Sequence, residues 1–148
     1  MTEADETPIQ VDTVDGLVDI AELVDIVFFE VAGKRTTSSS QTEANGSTDI
    51  DISVRTTSTG IDVRCLCRVI GGGGEYVCDA AARYDFGRSI TISDSVLPEF
   101  VQRVGVMAVY PYLREAITAS AAKLRLTPPL LRLLRPGDVH AAPKAPPL

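Results

Sequence analysis

The chain has no tryptophan, one histidine (His140) and three cysteines (Cys65, Cys67, Cys78) in 148 residues. Its only histidine lies in a Pro/Ala-rich tail, so no nucleophile–base–orienter set can be assembled around it. Three cysteines without a good fourth ligand make a poor zinc site, and reduced thiols behave as small buried hydrophobes. The expectation is therefore no enzyme, no metal and no cofactor. No stretch approaches 18 uncharged apolar residues, so no transmembrane helix is expected. Residues 1–33 contain no Lys or Arg. The opening Met1-Thr-Glu-Ala-Asp-Glu6 is acidic where a secretory signal is basic, which points to the cytoplasm and makes disulfides unexpected. Four glycines at 71–74 could cradle a phosphate only ahead of a helix. The strand-like Glu75-Tyr-Val-Cys78 follows instead, which excludes nucleotide binding.

What is present suits one globular domain. Apolar residues make up 45% and charged residues 23%. The net charge of −6 opposes a nucleic-acid partner, because phosphate binding needs a basic footprint. Basic residues collect late, from Arg103 to Lys144, and acids collect early. Residues 1–16 read as a flexible acidic N-terminus, 17–138 as the domain and 139–148 as a disordered tail.

Periodicity predicts the elements. Residues 17–32 read as a strand interrupted near Ala21-Glu22, and 36–48 as a polar loop. Residues 49–55 alternate Ile50, Ile52 and Val54 against charged and polar neighbours, and 61–70 alternate in the same way. A glycine hairpin leads into a long strand over 75–92, with Gly87 marking a bend or bulge. A helix should then start near Ser93-Asp-Ser95, carry Pro98 in its first turn and run to about Lys123. The fold class is α+β: a four-stranded antiparallel sheet followed by one long helix. That helix has two apolar stripes. One is Leu97, Val101, Val104, Ala108 and Tyr112; the other is Val106, Val109, Leu113, Ile117 and Leu124. A helix on one sheet needs one stripe, so the second implies another chain. Pro111 should kink the helix. Beyond it, residues 124–134 carry six leucines around Pro128-Pro129, too apolar for a free loop and too proline-rich for helix. They read as a strap that completes the core, walls an apolar groove, or does both.

Tyr110-Pro-Tyr-Leu-Arg-Glu115 and the following Pro-Pro-Leu resemble the Phe-Pro-Tyr-Ala-Arg-Glu helix and strap of the SecB family of protein-export chaperones. Asp25-Ile-Val-Phe-Phe-Glu30 is similar to that family's first strand with one residue added, and Val77-Cys-Asp79 to a later strand. The resemblance implies a homotetramer, a dimer of dimers with helices packed between sheets. It implies an ATP-independent holdase that binds unfolded preproteins in an apolar groove for export. It also implies docking on the SecA translocase motor through Asp25, Glu30, Val77 and Asp79. The family's second helix is missing here, which leans toward a dedicated client such as the antitoxin of a toxin–antitoxin system. An oligomeric small-ligand carrier is the reading from another class. Groove candidates are Phe28, Tyr84, Phe86, Phe100, Tyr110, Tyr112, Leu126, Leu130 and Leu133, with Phe29 a further anchor. Val109, Leu113 and Ile117 are the interface candidates.

Overall fold

The computed structural model describes residues 7–36, 46–132 and 134. Alternation produces the sheet it predicts. Strands β2 (Glu22–Arg35), β3 (Ser47–Thr56), β4 (Gly60–Gly71) and β5 (Gly74–Asp85) form an antiparallel sheet in the order β2-β5-β4-β3. The first long strand therefore pairs with the last and not with its neighbour in sequence. The β4–β5 hairpin turns on Gly72 and Gly73, both at positive φ (62° and 82°), as a two-residue turn with the twist of its strands requires. One face of the sheet is apolar: Val63, Cys65, Cys67 and Val69 from β4 lie beside Tyr76, Cys78, Ala80, Ala82 and Tyr84 from β5, all buried.

Three expectations are corrected. Residues 17–20 are helical, not extended: α1 spans Val14–Ile20, capped by Thr13, whose hydroxyl accepts from the Gly16 N–H. The supposed flexible N-terminus is ordered from residue 9. Strand β1 (Ile9–Val11) pairs in parallel with β6 (Ile90–Ile92), and Val11 and Leu17 enter the core. The strand expected over 75–92 breaks at Gly87 (φ 71°), leaving β5 and the short β6.

The helix runs as α2 (Val96–Phe100), a π-helical turn (Val101–Gly105) and α3 (Val106–Lys123), with Pro111 inside α3. Its buried face is Phe100, Val101, Val106, Val109, Leu113, Ile117 and Ala121, set against the apolar side of the sheet. Gly105 marks the closest approach. A β-carbon there would lie 2.6 Å from Val63 Cγ2 and 3.0 Å from Val63 Cβ. Val63 is fully buried and stiff, so neither partner can yield cheaply. Gly105→Ala is expected to cost about 1–3 kcal/mol of stability, read as a lower melting temperature. An unchanged melt would mean that the helix and β4 are not in contact at this turn.

Candidate functional site

Two register shifts in β2, between Leu23 and Asp25 and between Phe28 and Glu30, decide what its side chains reach. Phe28 aligns with Ala80, on the helix side of the sheet. After the extra residue Phe29, Glu30 aligns with Asp79, on the opposite side. A bulge thus sends adjacent aromatics to opposite faces. Strict alternation would also separate Phe28 from Phe29, but it would then carry Glu30 back to the helix side.

On the helix side, Phe28 meets Tyr112 edge-to-face at 6.4 Å between ring centroids. Each is 44% exposed. Beside the pair, an open cleft of about 250 Å³ runs between β2 and α3, lined by Phe28, Val31, Glu115, Ala116, Ala119, Ser120 and Lys123. Helix positions 112, 116, 119 and 123 recur at the 3–4 spacing that puts them on one face, and the small residues Ala116, Ala119 and Ser120 leave the space open. Sequence reasoning missed Val31 and these small residues. The i, i+4 run from Tyr112 to Ala116 was the signal available for them. The cleft has aliphatic and aromatic walls, with one carboxylate and one ammonium at its rim. It can take apolar side chains of an extended chain without demanding a sequence.

The strap leaves the helix through Arg125, which adopts the left-handed conformation (φ 57°) while the Leu126 N–H bonds back to the Ala121 carbonyl. The Arg35 guanidinium donates to the Leu124 carbonyl at 2.7 Å and ties the strap to β2. The strap then crosses the β4–β5 hairpin, where a β-carbon on Gly72 would lie 2.7 Å from the Thr127 carbonyl oxygen. Leu131 is buried, and the Tyr110 hydroxyl donates to the next carbonyl, that of Arg132. Leu130 points out at 88% exposure, and Leu126 is half-buried. The strap is thus both core and surface. Leu133 lies outside the described residues.

Several groove candidates are corrected by burial. Tyr84, Phe86, Phe100 and Tyr110 are core residues, none more than 6% exposed. Tyr84 and Phe100 pack edge-to-face on each other, 5.2 Å apart. A small domain without tryptophan needs these rings inside. Of the expected set, Phe28, Tyr112 and Leu130 are open to solvent and Leu126 partly so. The interface candidates are corrected too. Val109, Leu113 and Ile117 are 0%, 0% and 1% exposed within the single chain, covered by its own sheet. The helix face left open is the other stripe, where Leu97, Val104, Met107 and Ala108 are half-buried and Tyr112 is exposed. Val101, expected in that stripe, is buried.

The comparisons agree with this architecture. No family model matches the chain. It is 38% identical, over 139 residues, to the SecB-like chaperone SmegB of Mycolicibacterium smegmatis, covering 94% of this chain and 92% of that one. This chain belongs to the SecB-like chaperones. Its fold also matches the SecB-like chaperone Rv1957 of Mycobacterium tuberculosis, solved in complex with a ChAD peptide from the Rv1956 HigA1 antitoxin. That match has a TM-score of 0.67 at 20% identity and covers 80% of this chain and 94% of that one.

The docking candidates lie on the outer face of the sheet. Asp25 and Glu30 are exposed and Val77 is half-buried. Asp79 is only 7% exposed and is held bidentate by Arg64, at 2.8 Å (Nε to Oδ1) and 2.6 Å (Nη2 to Oδ2). The same guanidinium lies 4.0 Å over the ring of Phe29. Hydrogen bonding to Asp79 raises the Arg64 pKa further. Asp79 is therefore committed to Arg64 within the chain. The three cysteines are free and buried under the helix, and burial pushes the thiols of Cys65 and Cys78 up to about 12 and Cys67 to about 11. They remain protonated at neutral pH, which makes them poor nucleophiles. Among the described residues there is no cluster that could hold a metal, and no helix is long and apolar enough to cross a membrane.

Proposed function

We propose that this SecB-like chaperone is a holdase, binding non-native polypeptide without ATP at the apolar surface where β2 meets α3. The observation that carries this is the exposed Phe28–Tyr112 pair beside an open cleft. Leu23, Val24 and Val31 are also exposed on the same strand, at the edge of the sheet. An exposed apolar patch of this kind marks a binding surface. Clients that share hydrophobicity and not sequence suit non-directional contacts. A homotetramer, built as a dimer of dimers in the cytoplasm, accounts for the helix face that one sheet leaves uncovered and adds avidity for a long chain.

A dedicated client, such as an antitoxin, is favoured over preprotein export and SecA docking by two observations. One relative of the same fold is solved with an antitoxin peptide. Of the four docking candidates, Asp79 is spent on Arg64 and Val77 is half-buried, leaving Asp25 and Glu30. The test is light scattering of several unrelated denatured proteins diluted into the chaperone without nucleotide. Suppression across the panel supports a general holdase, and suppression confined to one antitoxin supports a dedicated one. Aggregation unaffected in every case, with a saturable small molecule bound instead, would make the chain a ligand carrier.

A further inference from the structure

The cleft between β2 and α3 has two unlike ends. At one it opens past Phe28 and Tyr112. At the other it closes, where a β-carbon on Gly33 would lie 3.2 Å from Ser120 Cβ and 3.3 Å from Leu124 Cδ1. Strand and helix thus run side by side in one direction, from Phe28 and Tyr112 to Gly33 and Leu124. The two charges on the rim are spread along this axis. Glu115 stands near the open end, three residues after Tyr112, and Lys123 at the closed end, next to Leu124. Eight helical residues put them about 12 Å apart.

Both charges are exposed, and neither makes an ion pair among the described residues. A cation in the last turn of a helix commonly serves its free carbonyls. Here Arg35 already donates to the Leu124 carbonyl, so the Lys123 ammonium is not needed there. The acids of the adjoining strands face the other side of the sheet: Glu30 aligns with Asp79, and Glu75 lies 3.1 Å from Lys34. Beside Glu115, the cation Arg114 turns away, 6.0 Å over the ring of Tyr110. The cleft is therefore acidic toward its open end and basic at its closed end. Val31, Ala116 and Ala119 form an apolar wall between them.

We propose that the cleft selects a bipolar client segment, an inference that rests on reading this cleft as the client site. The occupant is an extended stretch with the pattern basic-x-apolar-x-acidic, entering in whichever chain direction sets its basic side chain against Glu115 and its acidic one against Lys123. An extended chain rises about 3.3 Å per residue and returns side chains to one face at every second residue. Its positions i and i+4, about 13 Å apart, therefore span the two charges. The side chain at i+2 falls between them, onto Ala116 and Ala119, whose small size makes room for it. Hydrophobic contact supplies the affinity, and the two charges rank one apolar segment above another.

The test is fluorescence anisotropy of the full chain with three labelled peptides of one leucine- and serine-containing sequence. They differ only at positions i and i+4, which are Lys and Glu, Glu and Glu, or Lys and Lys. At low salt the wild type should bind the Lys/Glu peptide about threefold to fivefold more tightly than either other. The margin should narrow in 0.5 M salt. Glu115→Lys should transfer the preference to the Glu/Glu peptide, and Lys123→Glu to the Lys/Lys peptide. Both residues are exposed, so folding should survive, with circular dichroism as the check; Glu115→Gln with Lys123→Gln is the milder pair and should flatten the order. Asp49→Lys, exposed on the other face, makes the same change in net charge and should leave the order intact. Equal affinities for the three peptides, or a shift with Asp49→Lys as large as with Glu115→Lys, overturn the proposal. The cleft itself still stands if Phe28→Ser with Tyr112→Ser abolishes that binding. Peptides bound as tightly by this double variant as by the wild type would overturn the cleft as client site, and this inference with it.

Discussion

Leu113→Asp should leave no folded protein. Leu113 is fully buried among Val109, Ile117 and the cysteine-lined face of the sheet. The loss of a buried leucine alone costs about 2–5 kcal/mol. An unpaired carboxylate in the same place costs several more. Together these match or exceed the roughly 5–15 kcal/mol that holds a domain together. Far-UV circular dichroism and solubility are the measurements. A folded, soluble monomer would instead place Leu113 against a partner chain. Ala108→Glu, on the half-buried opposite stripe, is the contrast: it should reduce the assembly mass in light scattering while circular dichroism keeps the helical signal.

Phe28→Ser combined with Tyr112→Ser should remove most client binding at little cost in stability. Burying one apolar client side chain contributes roughly 1.5–3 kcal/mol. Removing the two rings that wall the cleft should therefore weaken affinity at least about tenfold, since 1.4 kcal/mol is one decade. Both rings are 44% exposed, so the core loses little. The readout is the chaperone concentration needed to halve client aggregation, set beside thermal unfolding. Leu130→Ser, at 88% exposure, should leave the melting temperature unchanged and reports how far the strap contributes to the same surface. Unaltered suppression by the double variant would move client binding off this face.

The sheet and long helix were legible because their apolar residues keep a strict period. Ile50, Ile52 and Val54 predict β3, and the alternation around Cys65 and Cys67 predicts β4. Sheet order was not legible. The chain between β2 and β3 is long and polar, and pairing β2 with β5 depends on contacts far apart in sequence. Helix α1 was missed because Val14-Asp-Gly-Leu-Val-Asp-Ile20 has too few residues to display a helical period, and β-branched residues bias the reading toward strand. The site was legible only in part. Composition marks aromatics as anchors, but burial sorts them: Phe28 and Tyr112 open, Tyr84, Phe86, Phe100 and Tyr110 closed. That sorting follows from which helical stripe the sheet takes. With two comparable stripes, the buried one is set by side-chain fit, such as Gly105 against Val63, which no periodicity encodes. The same choice reversed the roles expected of Val109, Leu113 and Ile117.

The bulges in β2 also bear on a hazard peculiar to a protein that handles sticky chains. A 14-residue edge strand with an apolar centre is itself a template for runaway sheet growth. Here the ladder is broken into three runs, Glu22–Leu23, Asp25–Phe28 and Glu30–Arg35. Each break adds local twist and puts the next donors and acceptors out of phase with a flat incoming strand. Filament formation requires many consecutive matched pairs repeated from copy to copy. In the proposed holdase, an edge phased in runs of two, four and six residues would hold an extended segment briefly and in pieces. Such an edge would capture an aggregation-prone chain without becoming the first layer of a fibril.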